Sequence, residues 1–277
     1  MEAANVTVRV GFLLVSSFNP WLKMLNCKKD FRRSSGLDIL MLGTGSAFAK
    51  KYYNNNALLH ANGFTLMIDC GITAPAALHQ LGKPIQDIDA VLITHIHADH
   101  IGGLEEYAFR MKFEFKRKPV LYVAADLLEP LWENALKGGM SQGNWQTIDE
   151  FFEVRTLEAG QPVELHPGLR VELIPTEHIP YKSSYSLLFN DRFFYSSDMR
   201  FDGELITRLV RDKGCIVFHD CQLHTPGAVH ATLEELLTLP EDVQEHVRLM
   251  HYADNRDDYA GKTGKMSFID QHVRYTL

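Results

Sequence analysis

The chain has 277 residues, 45% of them hydrophobic, and a formal net charge of -7. That length supplies a sizeable core for one large domain or two small ones. The acidic balance speaks against a surface built to coat nucleic acid and leaves room only for a local basic pocket for a small phosphate ligand.

Cys27, Cys70, Cys215 and Cys221 form no CxxC pair and no disulfide framework, a usage that fits a reducing cytoplasm. The apolar run at 11–15 is far too short to span a bilayer, and a lone Arg9 ahead of it is not the basic region of a secretory signal. Phe18, Trp21 and Leu22 show no clean period, and Lys28, Lys29, Arg32 and Arg33 lead into Ser34-Ser35-Gly36. Residues 1–36 therefore read as an extension, poorly ordered or loosely docked, ahead of a domain at 37–277.

Strands are expected at 38–42, 56–60 and 64–68, the last two joined by Asn62-Gly63, the strongest short hairpin signal. A helix follows at 73–81, with Pro75 in its first turn and Gly82 beyond its end. The stretch at 90–100, AVLITHIHADH, then sets four apolar residues of a buried strand before a turn carrying His95, His97, Asp99 and His100. Alternate side chains on such a segment point the same way, so His95 and His97 can converge on one ion while Asp99 and His100 face a neighbouring point. Imidazoles with a carboxylate suit zinc or a similar transition metal, whereas magnesium or calcium would call for oxygen donors.

Beyond the turn, helices are expected at 104–113 and 127–136 around a strand at 120–124, the second helix closed by Gly138-Gly139. The second half repeats the style without a sequence repeat. Strands are expected at 169–175, 185–189, 192–196, 215–218 and 247–250, and helices at 204–210 and 233–239. His178, Asp198, Asp220 and His251 each stand just past a strand, the edge of the sheets at which α/β scaffolds gather functional groups.

The His95-x-His97-x-Asp99-His100 signature, an isolated His178, Asp198 in Ser-Ser-Asp and a late His251 resemble the metallo-β-lactamase superfamily. The Gly43-to-Ala47 loop, the Thr176-Glu177-His178-Ile179-Pro180 segment and Val229-His230-Ala231-Thr232 are similar to its ribonuclease Z branch. Gly43 to Tyr52 and Asn54-Asn55-Asn56 are most like the anti-Pycsar cyclic-nucleotide phosphodiesterases of that branch. The resemblance implies an α/β, four-layer αββα sandwich of two facing mixed β-sheets flanked by helices. It implies two zinc ions per chain, or manganese: His95, His97 and His178 on one, Asp99, His100 and His251 on the other, Asp198 bridging. A bridging carboxylate keeps two such ions roughly 3.5 to 4 Å apart with a shared water as nucleophile. Asp69, Asp220 and Glu177 are candidate acceptors for the outer nitrogens of the histidines.

The catalytic set that the resemblance implies is Asp99, His230 and Asp220, the proton for the leaving oxygen coming from His230, oriented by a carboxylate such as Asp220, or from a metal-bound water. The implied substrate is a small cyclic nucleotide (cyclic CMP or UMP, cyclic AMP or GMP, or a cyclic dinucleotide), and the implied role is removal of antiviral signals by a cytoplasmic homodimer with no membrane span and no stable nucleic-acid complex. Alternatives are a ribonuclease Z-like RNA phosphodiesterase and a nucleotide-sequestering protein without chemistry. Against the first, a tight hairpin fills the interval from His178 to Asp198 where the tRNA-processing enzymes carry an arm, and no arginine precedes the asparagines.

Several features have plainer readings. Arg110, Lys112, Lys116, Arg117 and Lys118, interleaved with Phe113 and Phe115, read first as a solvated helix end and only second as a base-stacking platform. Tyr52 and Tyr53 are candidates for stacking a base, and His219 and His224 for surface or pocket wall. The glycine loop lacks the Gly-Lys-Ser/Thr of a phosphate loop and is expected to pass close under the metal site.

Overall fold

A computed structural model describes residues 36–277. The extension expected at 1–36, apart from Gly36, lies outside the described residues.

Two seven-stranded mixed sheets form the centre. The first runs in the order β14 (Arg274–Thr276), β1 (Leu37–Met41), β2 (Ala57–Ala61), β3 (Phe64–Ile68), β4 (Ala90–Ile93), β5 (Val120–Ala124), β6 (Glu153–Leu157). The second runs β13 (Ser267–Phe268), β12 (Val247–Met250), β11 (Ile216–Asp220), β10 (Phe193–Tyr195), β9 (Tyr185–Phe189), β8 (Leu169–Pro175), β7 (Val163–His166). Each sheet is built on one plan. Its antiparallel strands end in a run of parallel ones, β3 to β6 in the first and β10 to β13 in the second.

The local chemistry explains the hairpins. Asn62 and Gly63 (φ 50° and 86°) turn β2 into β3, and Asn190 and Asp191 (φ 51° and 54°) turn β9 into β10. Both turns have the paired left-handed residues whose twist matches that of the strands they join.

Strands β9 to β12 carry apolar side chains on both faces because each face is covered. Leu187, Phe189, Phe193, Tyr195, Phe218 and Met250 point into a core shared with Ile39 and Leu59 of the first sheet. Their alternating neighbours Leu188, Phe194, Val217, Val247 and Leu249 pack beneath α6 (Gly203–Lys213), α7 (Leu233–Leu236) and α8 (Glu241–Gln244). Phe218 meets Tyr275 across the sheets, ring centroids 5.5 Å apart. Helices α1 (Ala74–Gln80) and α3 (Leu104–Phe109) add Ala77, Leu78, Leu104 and Tyr107 to the first core.

This is the four-layer sandwich expected from the sequence, with local differences. The metal loop contains a helical turn, α2 (Ala98–Ile101). The helix expected at 127–136 begins earlier, as α4 (Ala125–Glu129), widens through a π-type stretch at Pro130–Leu136, and continues as α5 (Lys137–Met140), so Gly138 and Gly139 lie inside it. No described helix is long and apolar enough to cross a membrane.

Candidate metal centre

Six strands deliver functional groups to one edge of the sandwich. Asp69 follows β3, the Thr94-to-His100 turn follows β4, and His178, Asp198, Asp220 and His251 lie at the ends of β8, β10, β11 and β12. Asp69, Ser197 and His251 take left-handed φ of 58°, 51° and 56° immediately at those ends. Such conformations are costly for residues with a Cβ, and here they turn the chain sharply enough to aim the side chains inward.

Two donor groups result. His97 Nδ1 stands 3.1 Å from His95 Nε2 and 3.3 Å from His178 Nε2. Asp99 Oδ2 stands 3.3 Å from both His100 Nε2 and His251 Nε2. Asp198 Oδ2 lies between the groups, 3.7 Å from His95 and His178 Nε2 and 3.4 Å from His100 and His251 Nε2. A tetrahedral ion with bonds of about 2.0–2.2 Å has donor-to-donor edges of roughly 3.3–3.6 Å, and the observed separations cluster around that value.

The polar atoms support the same fit. His100 Nε2 and Asp198 Oδ1 are buried without a hydrogen-bond partner, an arrangement that a bound ion would complete. Burial, reinforced by the His100 charge, lowers the pKa of His95; burial and the neighbouring imidazoles lower those of His97 and His178. Those rings are thus kept in the neutral form that has a free lone pair. Burial opposes ionisation of Asp198, yet the facing His251 and His100 hold its carboxyl well below the usual range. A site rich in carboxylates and neutral imidazoles suits a borderline dication.

Outer partners fix the rings. Asp69 Oδ2 accepts from His100 Nδ1 at 2.7 Å and from the Thr94 hydroxyl at 2.8 Å, and its Oδ1 accepts from Thr94 N at 2.9 Å. Thr94 Oγ1 also lies 3.1 Å from His95 Nδ1 and 2.7 Å from Ser197 Oγ. His178 Nδ1 donates to the Val229 carbonyl at 2.8 Å. Glu177, considered as an acceptor, instead points outward, its side chain mostly exposed, 3.9 Å from Arg200. The residue before His178 need not share its direction where the strand has ended.

His230 borders the centre, its ring 4.8 Å from that of His178 and 4.9 Å from that of His251. Its Nδ1 donates to Asp220 Oδ2 at 2.9 Å. Burial works against its charge, but the bond to Asp220 and the carboxylates of Asp220, Asp198 and Asp99 push its pKa up to about 9. Donor atoms of Asp198, Asp220, His230 and His251 also lie close enough to form a third possible ion-holding group. His219 is fully buried rather than surface or pocket wall, with Nδ1 2.8 Å from the Asp220 carbonyl; His224 is exposed.

Packing around the turn gives Asn56 and Gly71 a role that the sequence did not assign them. Asn56 accepts from Gly71 N at 2.8 Å and donates to the Asp99 carbonyl at 3.1 Å. A Cβ on Gly71 would sit 1.8 Å from that carbonyl oxygen. The glycine loop braces the far side: Tyr252 N donates to Thr44 O at 3.2 Å, and Ser46 N to Tyr252 O at 3.0 Å. It thus holds the segment that follows His251. Tyr52 and Tyr53 already have ring partners: Tyr52 packs against Tyr252 with the Arg256 guanidinium 5.7 Å from its centroid, and Tyr53 lies against His272, ring centroids 5.6 Å apart. Lys112, Arg117 and Lys118 are engaged by carbonyl oxygens of their own chain, in keeping with a helix end.

Comparison with known proteins adds four findings. The family model described as "Anti-Pycsar protein Apyc1" matches residues 37–275. A protein of that name from Paenibacillus harenae is 59% identical over 241 residues, covering 87% of this chain and all of the relative. One from Bacillus phage BSP38 is 46% identical over 253 residues, covering 86% and 98%. Among solved structures, the metallo-β-lactamase fold protein YhfI from Bacillus subtilis superposes with a TM-score of 0.67 at 15% identity, covering 87% of this chain and all of that one.

Proposed function

The chain belongs to the anti-Pycsar protein Apyc1 family, and on that premise we propose that it hydrolyses a cyclic nucleotide phosphodiester at a centre of two metal ions. The observation that carries this reading is one carboxylate oxygen, Asp198 Oδ2, lying 3.4–3.7 Å from histidine nitrogens of both donor groups. His95, His97 and His178 would hold one ion and Asp99, His100 and His251 the other, with zinc the first choice and manganese the second. When bound, such ions supply Lewis acidity, polarising phosphoryl oxygens and lowering the pKa of water from about 15.7 towards about 7.

The remaining roles fall to the chain itself. Asp69 keeps the proton of His100 on Nδ1, so that Nε2 faces inward. Asp220 does the same for His230 and stabilises its protonated form. His230 Nε2 then delivers a proton to the departing ribose oxygen, a contribution of the order of 10²–10⁴ in rate. Cyclic CMP and cyclic UMP, cyclic AMP and GMP, and cyclic dinucleotides are the substrates to try first. The cellular role would be removal of the nucleotide signal of the Pycsar defence by a cytoplasmic homodimer.

The test is metal analysis of the purified protein alongside turnover of cyclic mononucleotides, cyclic dinucleotides and a tRNA precursor. Metal-dependent opening of a cyclic nucleotide, lost in Asp198→Ala, is the expected result. Cleavage of the tRNA precursor alone would favour an RNA phosphodiesterase, and stoichiometric capture without product would favour a sequestering protein.

A further inference from the structure

A phosphoryl group held at the metal centre fixes only one end of a nucleotide. The ribose and base must leave in some direction, and a cleft of about 490 Å³ opens beside His178, within the size range of small-ligand sites. A narrower recess shares His178, Ile179, Lys182 and Ser183 with it and reaches His95 and His97. The cleft therefore borders one donor group, through His178, and opens to solvent.

Its wall is a braced loop. Thr176 N donates to Ser184 O at 3.0 Å across the neck, and Lys182 N to Ile179 O at 3.1 Å at the tip. Ser183 and Tyr185 both bond Asp126 at the start of α4. On this fixed support Tyr181 is fully exposed and has φ 65°. A bulky aromatic at a left-handed position is uncommon, and one wholly open to water gains no burial in return. Arg200 lines the same cleft, its main chain anchored to Glu177 O at 2.7 Å and its guanidinium half exposed, 3.9 Å from the Glu177 carboxylate. An aromatic face and a guanidinium plane are the two surfaces on which proteins stack an unpaired base. The other two tyrosines near the glycine loop already have ring partners, Tyr52 in Tyr252 and Arg256 and Tyr53 in His272.

We propose that Tyr181 and Arg200 form the nucleobase subsite, receiving the base of a cyclic mononucleotide in the cleft beside His178. This rests on the reading of the centre as a cyclic-nucleotide phosphodiesterase. Stacking reads a π-face rather than a hydrogen-bond pattern, so purine and pyrimidine substrates both use the subsite, with purines gaining more from the larger overlap.

The experiment compares the metal-loaded wild type with Tyr181→Phe, Tyr181→Leu and Arg200→Gln. It measures metal content, turnover of 3′,5′-cyclic AMP, cyclic CMP and the base-free 3′,5′-cyclic phosphate of ribose, and calorimetric binding of the phosphorothioate analogue of cyclic AMP. Tyr181→Phe should stay within about twofold of wild type, whereas Tyr181→Leu should raise KM for both nucleotides by about 5- to 100-fold with kcat and metal content held, the span expected for a lost base–aromatic stack. Arg200→Gln should act in the same direction, and the base-free substrate should be unaffected by all three. Unchanged KM in Tyr181→Leu, or an equal loss on the base-free substrate, overturns the subsite while the phosphodiesterase reading stands. If the wild type opens no cyclic nucleotide but binds the analogue in a Tyr181-dependent way, the activity reading fails and the subsite stands. No turnover and no Tyr181-dependent binding overturns both.

Discussion

Asp69 offers the sharpest test of how the site is held. Its two oxygens serve different donors: Oδ2 takes His100 Nδ1 and the Thr94 hydroxyl, and Oδ1 takes the Thr94 amide. In Asp69→Asn the amide nitrogen must replace one of them. Placed at Oδ2 it faces two donors: His100 can accept from it only with its own proton moved to Nε2, where that proton would block the ion, and the Thr94 hydroxyl must turn to accept. Placed at Oδ1 it opposes only the Thr94 amide, so this orientation wins and His100 keeps its tautomer, with a neutral acceptor in place of a charged one. Loss of an outer partner costs about 10- to 100-fold in metal affinity. Asp69→Asn should therefore fall near the lower figure and Asp69→Ala near the upper, with the ion of the His100 group weakened more than that of the His95 group. Because burial itself raises the pKa of Asp69, removing the charge relieves part of its desolvation cost, and the metal-free melting temperature should drop only modestly. Chelator competition measures both affinities, and wild-type affinity at both positions in Asp69→Ala would refute the reasoning.

Three further outcomes are expected. His230→Gln should lower kcat by about 10²–10⁴ while both ions remain bound; loss of an ion by elemental analysis would make His230 a ligand instead. Gly71→Ala puts a Cβ 1.8 Å from the Asp99 carbonyl, so a loss of about 1–3 kcal/mol in denaturant unfolding is expected, together with weaker metal binding; unchanged stability would show that the turn can yield. His60 has its pKa lowered by burial from 6.5 to about 4. It is held neutral in the fold, so its contribution is fully present above pH 6.5 and lost as pH falls through 4, at most about 3 kcal/mol. His60→Gln should flatten the stability profile in that window, and an unaltered profile would contradict the assignment.

Legibility from the sequence tracked how local each signal is. The strands β4, β5 and β9 carry apolar runs, β8 and β12 alternate buried apolar residues with more exposed ones, and the two Asn-initiated turns fix their own geometry, so these elements stand where the residues alone put them. Strand β6 (Glu-Val-Arg-Thr-Leu) is charged and largely exposed, and β14 is three residues near the chain end; both exist through pairing with distant strands, which no local pattern encodes. The histidines and aspartates were likewise visible one by one, because each follows a strand. What holds them was not. Asn56 and Gly71 act through contacts with the Asp99 backbone, Thr94 through a single hydroxyl, and the left-handed turns at Ser197 and His251 break the rule that only glycine or asparagine goes there. Glu177 and His219 show the converse: a carboxylate next to His178 can face solvent, and a histidine next to a carboxylate can be sealed in the core.

The central claim is that two ions share Asp198. Anomalous diffraction collected at the zinc absorption edge from metal-loaded crystals tests it most directly. Two peaks are expected, one within bonding distance of His95, His97 and His178, the other of Asp99, His100 and His251, each also within reach of Asp198. A single peak, or one centred on Asp220 and His230, would contradict it.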